Sequence, residues 1–165
     1  MLPTDIIDGF ENMVDLNPMS DFGVVLTKLE TIEGRDIVRQ FTPAPWGTGF
    51  SHRSTLVCYY KRPSKDDGNE YELIVTSYGN DSLVEKYTAE GLFGSDVIAT
   101  NFACWRVHPL LGEDGTTVTG SLMSLASKMK PNGWVPDLVL PRIQQAQAKT
   151  IDCFVEAIKK KLAAK

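Results

Sequence analysis

The stretch of residues 133–162, GWVPDLVLPRIQQAQAKTIDCFVEAIKKKL, determines the fold that we predict for this chain. Its apolar residues recur at helical spacing and form one stripe, which consists of Leu140, Ile143, Ile151, Phe154, Ile158 and Leu162, with Val155 at its edge. Pro136 suits a first helical turn, because the N–H that proline lacks has no helical partner there. Pro141 predicts a kink or a short preliminary turn. We therefore predict a helix from about Pro136 to Leu162 whose apolar face packs on another apolar surface.

The residues before this helix have the pattern of strands separated by turn residues. Strands are predicted near 22–32, 35–42, 53–61, 70–78, 96–108 and 116–127. Residues 33–34 (Glu-Gly) and 113–115 (Glu-Asp-Gly) are hairpin signals, whereas 79–95 is a long connection with few strand features. Because the strands follow one another through short links, an antiparallel sheet is favoured over βαβ units. A face of this sheet is the apolar surface on which we expect the helix to pack.

A short helix is predicted before the sheet. Thr4 is a suitable N-cap, and Asn17-Pro18 ends the helix. The apolar residues between them, at helical spacing, are Ile6, Ile7, Phe10, Met13 and Val14. We therefore predict an α+β fold in a single domain of residues 1–165. In this fold a curved antiparallel sheet of about six strands wraps a long C-terminal helix, and a short helix lies at the N-terminus.

The composition argues against several classes of function. The formal net charge is −4, and phosphate binding needs a basic face, so we expect no nucleic-acid partner. No window approaches the ~20 apolar residues of a membrane span. Residues 1–10 include Asp5 and Asp8, which predicts that no secretory signal is present. An odd number of cysteines without CxxC spacing predicts reduced thiols in a cytoplasmic protein; they are Cys58, Cys104 and Cys153.

The sequence offers no convincing catalytic or metal-binding pattern. The two histidines, His52 and His108, have no metal-ligand spacing to each other or to the cysteines. His108 precedes a proline and is more typical of a turn than of a general base. No GxSxG, Walker or dinucleotide fingerprint occurs. We therefore expect no enzyme activity, no cofactor and no metal.

Several short motifs occur in the order and spacing of a known family. They are 104–110 (CWRVHPL), 133–136 (GWVP) before the long helix, 51–54 (SHRS) at a strand start and 17–18 (Asn-Pro) after the first helix. Together they resemble START domains, the lipid-transfer modules related to the steroidogenic acute regulatory protein, over about residues 5–162. The resemblance implies a helix-grip fold, in which the sheet and the long helix enclose a cavity for a lipid.

The chain departs from this family at two points. START domains have a further helix and several strands before the point that matches residue 1, which implies a shortened domain or a fragment. Sterol-binding members carry a buried acid–arginine pair, and the matching positions here are Gln40 and Tyr59. A neutral pair can hydrogen-bond a hydroxyl, amide or ester without the desolvation cost of buried charges. The resemblance therefore implies lipid binding without implying sterol specificity.

The predicted ligand site combines polar and apolar residues. The polar contacts are Gln40, Tyr59, Asn101 and Gln147, and the cavity wall is Val38, Val57, Trp105, Met123, Phe154 and Ile158. In the resembled fold the loop 43–50 lies over the cavity mouth, so Trp46 and Phe50 are the candidate gate and membrane-contact residues. Two alternatives stay open, because Tyr59 can be a core residue with its hydroxyl at the rim and Trp46 can tuck into the core.

Two groups of charges also have competing interpretations. Arg53 either orients near the gate or pairs with an acidic neighbour, and the structural ion pair is favoured. Lys159, Lys160 and Lys161 end the long helix, where cations interact favourably with the helix dipole. They either remain solvated, which is favoured, or dock on anionic headgroups.

The favoured function is that of a carrier. The protein would bind a phospholipid, a sphingolipid or a sterol, contact membranes peripherally, and transfer or present its ligand between them. One alternative is an enzyme of the helix-grip superfamily, which needs a polar group with a shifted pKa in the pocket. The other is an interaction module with a filled core and no ligand. Turnover of a bound ligand distinguishes the enzyme, and the failure to bind any lipid distinguishes the module.

Overall fold

The structure is a computed structural model that describes residues 1–44, 47, 49–63 and 70–164. Within these residues the strands are β1 (Val25–Ile32), β2 (Arg35–Thr42), β3 (Arg53–Pro63), β4 (Tyr71–Thr76), β5 (Val97–Ile98), β6 (Thr100–Leu111) and β7 (Val118–Lys130). The helices are α1 (Pro3–Glu11), α2 (Met13–Leu16), α3 (Asp81–Ala89), α4 (Leu140–Ala148) and α5 (Thr150–Ala163), with a 3-10 turn at Ser20–Phe22.

One sheet contains all of these strands. Its order is β1-β2-β3-β4-β6-β7 with antiparallel neighbours, and the two-residue β5 pairs in parallel with the start of β3. The predicted α+β fold, with an antiparallel sheet, a short N-terminal helix and a C-terminal helical segment, is confirmed. In the part of the chain that is described, no helix is both long enough and apolar enough to span a membrane.

Both predicted hairpin turns form. Glu33 and Gly34 have φ values of 50° and 75°, the left-handed conformation that a two-residue hairpin requires at both positions. At the β6–β7 turn the carboxylate of Asp114 accepts hydrogen bonds from the hydroxyl of Thr117 and from the N–H groups of Thr116 and Thr117. These bonds lower the pKa of Asp114 to about 2, so the turn keeps its charged acceptor at all ordinary pH values.

The N-terminal helix begins at Pro3, before the predicted cap Thr4. Proline is tolerated at the first helical position because its missing N–H would have no partner there. The carboxylate of Asp5 accepts the N–H of Leu2 at 3.0 Å and closes the helix start. Asn17 ends α2 in a left-handed conformation (φ 39°), at the predicted position, but Asn12 divides the single predicted helix into α1 and α2.

The connection 79–95 contains a helix that the sequence analysis did not predict. α3 lies on the outer face of the sheet, where Tyr87 and Phe93 pack in a cluster with Ile37, Leu56 and Cys58. The helix has only nine residues, which is shorter than the window of about 11–18 residues over which a helical period is recognised. This cluster covers part of the outer face, and the N- and C-terminal helices pack on the inner face.

The C-terminal segment forms two helices instead of the predicted single one. Pro136 lies in a turn before α4, which agrees with the short preliminary turn that was one of the two predicted alternatives, and Pro141 occupies the first turn of α4. The break comes at Lys149, which ends α4 and precedes α5. The Thr150 hydroxyl donates to the carbonyl of Ala146 at 3.0 Å, a contact that bends helices because it competes with the backbone ladder.

The inner core is filled where α5 and α1 meet the sheet. The rings of Phe10, Phe154 and Trp105 form a cluster with centroid separations of 5.1 to 5.9 Å. Gly9 allows this approach, because a Cβ at that position would lie 2.7 Å from the Cδ1 of Ile158. α5 is therefore held tightly against α1 and the sheet.

Candidate functional site

A cavity of about 460 Å³ lies on the inner face of the sheet, beside the filled core and against α4. Every side chain of α4 is at least partly exposed, whereas α5 buries Phe154 and Ile158 almost completely. The two C-terminal helices therefore differ in what they cover. α5 closes the core, and α4 covers an unfilled space.

The cavity wall is mainly apolar. Its sheet side is formed by Leu26, Val75, Ala103, Trp105, Leu125 and Met129. Ile143 and Ala146 of α4 form the opposite side, and the connection 18–24 contributes Met19, Phe22 and Val24. An apolar pocket with a few polar groups is the usual form of a small-molecule site.

The four polar residues predicted for the ligand site all line this cavity: Gln40, Tyr59, Asn101 and Gln147. The amide nitrogen of Asn101 donates to the amide oxygen of Gln40 at 3.4 Å. Because β2 and β6 are not neighbours in the sheet, this contact crosses the inner face and requires the sheet to curve. Gln147 reaches the same space from α4.

Tyr59 belongs to both the core and the cavity. Its ring packs in the inner core with only 4% of the residue exposed, and the residue also contributes to the cavity lining. Burial, reinforced by the charge of Asp36, raises the pKa of Tyr59. The phenol therefore keeps its proton and can donate a hydrogen bond.

Of the six predicted wall residues, Trp105 lines the cavity and five lie outside its described lining. The five are Val38, Val57, Met123, Phe154 and Ile158, which pack in the adjoining filled core. They lie on the predicted face of the sheet or helix, but at the end that packs in the core and not at the end that lines the cavity. The reason is the close approach of α1 at Gly9, which fills that end with side chains.

The two predicted gate residues have different outcomes. Trp46 lies outside the described residues. Phe50 lines the cavity and is 7% exposed, with the guanidinium of Arg53 at 3.8 Å from its ring centroid. Phe50 is thus a buried part of the mouth in this conformation.

The favoured interpretation of Arg53, an ion pair, is wrong within the described residues. Its guanidinium donates to the carbonyls of Ser51, Pro131, Asn132 and Trp134, and the residue is 4% exposed. Three of these carbonyls, those of Pro131, Asn132 and Trp134, belong to the segment before α4. Arg53 therefore fixes this segment to the start of β3, next to the cavity mouth.

The charged residues of the described cavity lining are exposed, and the two histidines lie outside that lining. Asp21 and Arg142 are the charged residues of its described lining, and both are exposed. The ring of His52 accepts the N–H of Ala44 at 3.0 Å. His108 lies 3.0 Å from Glu70 on another part of the sheet. Across the described residues, no group of His, Cys, Asp or Glu side chains could hold a metal ion.

The lysines that end α5 are solvated, and two of them form ion pairs. Lys159 lies 2.7 Å from Glu156, and Lys161 lies 2.9 Å from Asp8 of α1. The favoured interpretation of a solvated helix end therefore agrees with their positions. The lysine cluster lies on α5, not on the helix that covers the cavity.

Sequence reasoning missed the contribution of the connection 18–24. The sequence analysis places Phe22 and Val24 in the first predicted strand and gives Met19 no role, whereas all three residues form one end of the cavity. The available signal was the presence of three apolar residues, Met19, Phe22 and Val24, between the helix terminator Asn17-Pro18 and β1. Ile143 was assigned to the apolar stripe without a cavity role, and Ala146, a small residue beside that stripe, marks the space opposite the sheet.

Comparison with known proteins gives a structural likeness. No protein-family model and no curated protein sequence matches the chain. Among solved structures, human StAR-related lipid transfer protein 5 is similar, with a TM-score of 0.57 and 14% sequence identity over 88% of this chain and 70% of that one. At this identity the likeness shows the fold, and membership of the START family remains a prediction. The chain has the fold of that lipid transfer protein, an antiparallel sheet packed on a C-terminal helical segment.

Proposed function

We propose that the protein binds a lipid or a similar hydrophobic ligand in the cavity against α4 and transfers or presents it between membranes. The observation that carries this proposal is the contrast between the two C-terminal helices, one over a filled core and one over an apolar space of about 460 Å³. Each methylene group that enters such a space from water gains about 0.8 kcal/mol. A lipid tail would therefore fill the space that the side chains leave open.

Ligand exchange requires the cavity to open, and α4 is the element best suited to move. Its side chains are partly or fully exposed, and the break at Lys149 separates it from the anchored α5. Trp134 and Leu138, in the segment leading into α4, are each 68% exposed. Tryptophan favours the membrane–water interface. We propose that this segment contacts the membrane and that the contact favours the open state.

The proposal is tested by native mass spectrometry of freshly purified protein, followed by lipid extraction and a transfer assay between liposomes. Ala146→Phe should abolish both binding and transfer, because Ala146 lines the cavity. Ala148→Phe is the matched control, since Ala148 is an exposed residue of the same helix. Equal activity of the two variants would contradict the proposed site.

We also propose that the ligand is released chemically unchanged. The masses of lipids recovered after incubation with the protein test this directly. A product that accumulates with protein concentration would identify an enzyme instead. A protein that retains no lipid and shows no thermal shift with any lipid would be an interaction module.

We propose a cytoplasmic location. The three cysteines are free thiols in the structure, with Cys58 buried and the other two partly buried. Reduced thiols are typical of the cytosol. Microscopy of the tagged protein, together with fractionation of cytosol and membranes, tests this proposal.

A further inference from the structure

We infer that the cavity takes an uncharged single-chain amphiphile: one alkyl or acyl chain whose polar end is a hydroxyl, ester or amide held by Gln40 and Asn101. This inference rests on the proposed function and specifies its ligand. It follows from the size of the cavity, the placement of charge around it, and the hydrogen-bonding groups that its polar side chains leave open.

The size of the cavity limits the ligand to one chain. A group of the size of a water molecule occupies about 30 Å³ in a liquid. The cavity of about 460 Å³ therefore holds roughly fifteen such groups, which corresponds to one chain of medium or long length with a small polar end. The two chains of a dipalmitoyl phospholipid contain about thirty such groups and therefore need about twice this space.

The placement of charge favours an uncharged polar end. The buried residues of the described lining are all uncharged: Met13, Pro18, Val24, Phe50, Tyr59, Val75, Ala103, Trp105 and Val139. Asp21 and Arg142, the charged residues of the described lining, are both exposed. A charged group inside would lose its hydration without a buried partner, which is unfavourable. An uncharged hydroxyl, ester or amide carries no such penalty when it is hydrogen-bonded.

Gln40 and Asn101 offer both donors and acceptors to such a group. Their mutual hydrogen bond uses one N–H of Asn101 and the oxygen of Gln40. In the described residues, the amide nitrogen of Gln40 and the amide oxygen of Asn101 have no protein partner. Tyr59 adds a third hydrogen-bonding group to the same cavity. A hydroxyl or an amide can both give and accept a hydrogen bond and therefore matches this set.

The backbone of Asn101 is held in place from the neighbouring strand. The hydroxyl of Ser77 accepts the N–H of Asn101 at 2.8 Å and donates to its carbonyl at 3.1 Å. The backbone N–H of Ser77 also donates to that carbonyl at 2.9 Å. The polar pair is thus built on a fixed part of the sheet, and its side-chain groups point into space that the protein does not fill.

The inference is tested by native mass spectrometry after incubation with three probes supplied in vesicles: 1-monopalmitoylglycerol, palmitate and dipalmitoylphosphatidylcholine. We expect a one-to-one complex with the monoacylglycerol and at least tenfold weaker retention of palmitate. We expect no retention of the phospholipid. Preferred binding of palmitate, with its carboxylate at Arg142, or of the phospholipid would overturn the inference and leave the proposed function intact. Retention of no lipid at all would contradict the proposed function itself.

Two variants test whether Gln40 and Asn101 hydrogen-bond the polar end of the ligand. Gln40→Met and Asn101→Leu keep side-chain volume but remove the hydrogen-bonding groups. Each should weaken binding of the monoacylglycerol about tenfold, the usual effect of one lost hydrogen bond. Hexadecane, a chain without a polar end, should bind equally well to both variants and to the parent protein. An equal loss for hexadecane would mean that the residues only maintain the cavity, and the inference would be wrong.

Discussion

Arg53 shows how one buried side chain can hold a functional region in place. Its guanidinium binds four backbone carbonyls and covers the ring of Phe50, so it joins the start of β3 to the turn before α4. Arginine can do this because its planar fork presents five donors in fixed directions. Those carbonyls would otherwise be partly buried without partners, which is costly.

Replacing Arg53 with lysine should therefore destabilise the protein. Lysine has three donors on a flexible stem and cannot reach all of these carbonyls. We expect Arg53→Lys to lower the free energy of unfolding by about 2 kcal/mol, the cost of losing hydrogen bonds to a charged group. Urea unfolding of the parent and the variant measures this. Arg62→Lys, at a side chain that is 66% exposed, is the control and should change the free energy by less than about 0.5 kcal/mol. Similar losses in the two variants would contradict the role assigned to Arg53.

At the scale of single residues, the sequence predicted the polar residues of the cavity better than the apolar residues of its wall. Gln40 and Tyr59, which the resemblance to START domains marks as ligand contacts, do line the cavity. Val57 lies two residues before Tyr59 on the same strand and therefore on the same face, but it belongs to the filled core. A period of two identifies the face of a sheet. It carries no information on which end of that face another element will cover.

Among the elements, α4 and α5 have nearly the same sequence pattern but different packing. The apolar stripe continues through both, so the sequence predicted a single helix. At the break, the hydroxyl of Thr150 bonds back to the carbonyl of Ala146, a local contact that a hydrophobic period does not reveal. Once the helix is broken, α5 packs through Phe154 and Ile158, and α4 covers the cavity.

Hydrogen exchange should separate these two helices. Amide groups in α4 are protected only by a partly exposed helix over a cavity, whereas those in the middle of α5 are protected by the packed core. We expect α4 to exchange at least tenfold faster than residues 151–158 in the ligand-free protein. Loading with lipid should slow exchange in α4 and leave α5 unchanged. Equal protection of both helices without ligand would contradict the proposal that α4 moves.

In the whole molecule, the cavity exists because the helices on the inner face of the sheet pack closely against only one end of it. α1 and α5 approach closely because Gly9 has no side chain, and their contact fills one end of the sheet. α4 continues past the region that α1 covers, so the other end stays open. The sequence predicted that a helix lies on the sheet. The location of the space depends on contacts between residues as distant as Gly9 and Ile158, which no local pattern specifies.

A network of charged side chains also joins α1 to the sheet. The ionisation of its carboxyl groups makes stability depend on pH. Glu11 of α1 lies 2.7 Å from Lys61 and also accepts the hydroxyl of Tyr71, and Lys61 lies 3.5 Å from Asp36. Partial burial raises the pKa of Glu11, but the hydrogen bonds from Lys61 and Tyr71 outweigh it, so the pKa is lowered from 4.5. The pKa of Asp36 is likewise lowered from 3.8, because Lys28, Thr31 and Lys61 outweigh burial.

A carboxyl group whose pKa is lower in the folded state stabilises that state when it is ionised. The stabilisation by Glu11 is complete above the unfolded value of 4.5 and is lost as the pH falls through the lower folded value. Tm should therefore decrease as the pH is lowered from about 6 to about 3, and Glu11→Gln should flatten this decrease while lowering Tm at neutral pH. Glu113→Gln, at an exposed residue of the β6–β7 turn, should leave the profile unchanged. Differential scanning calorimetry across this pH range measures all three proteins. A Glu11→Gln profile parallel to that of the parent would show that this network does not couple α1 to the sheet.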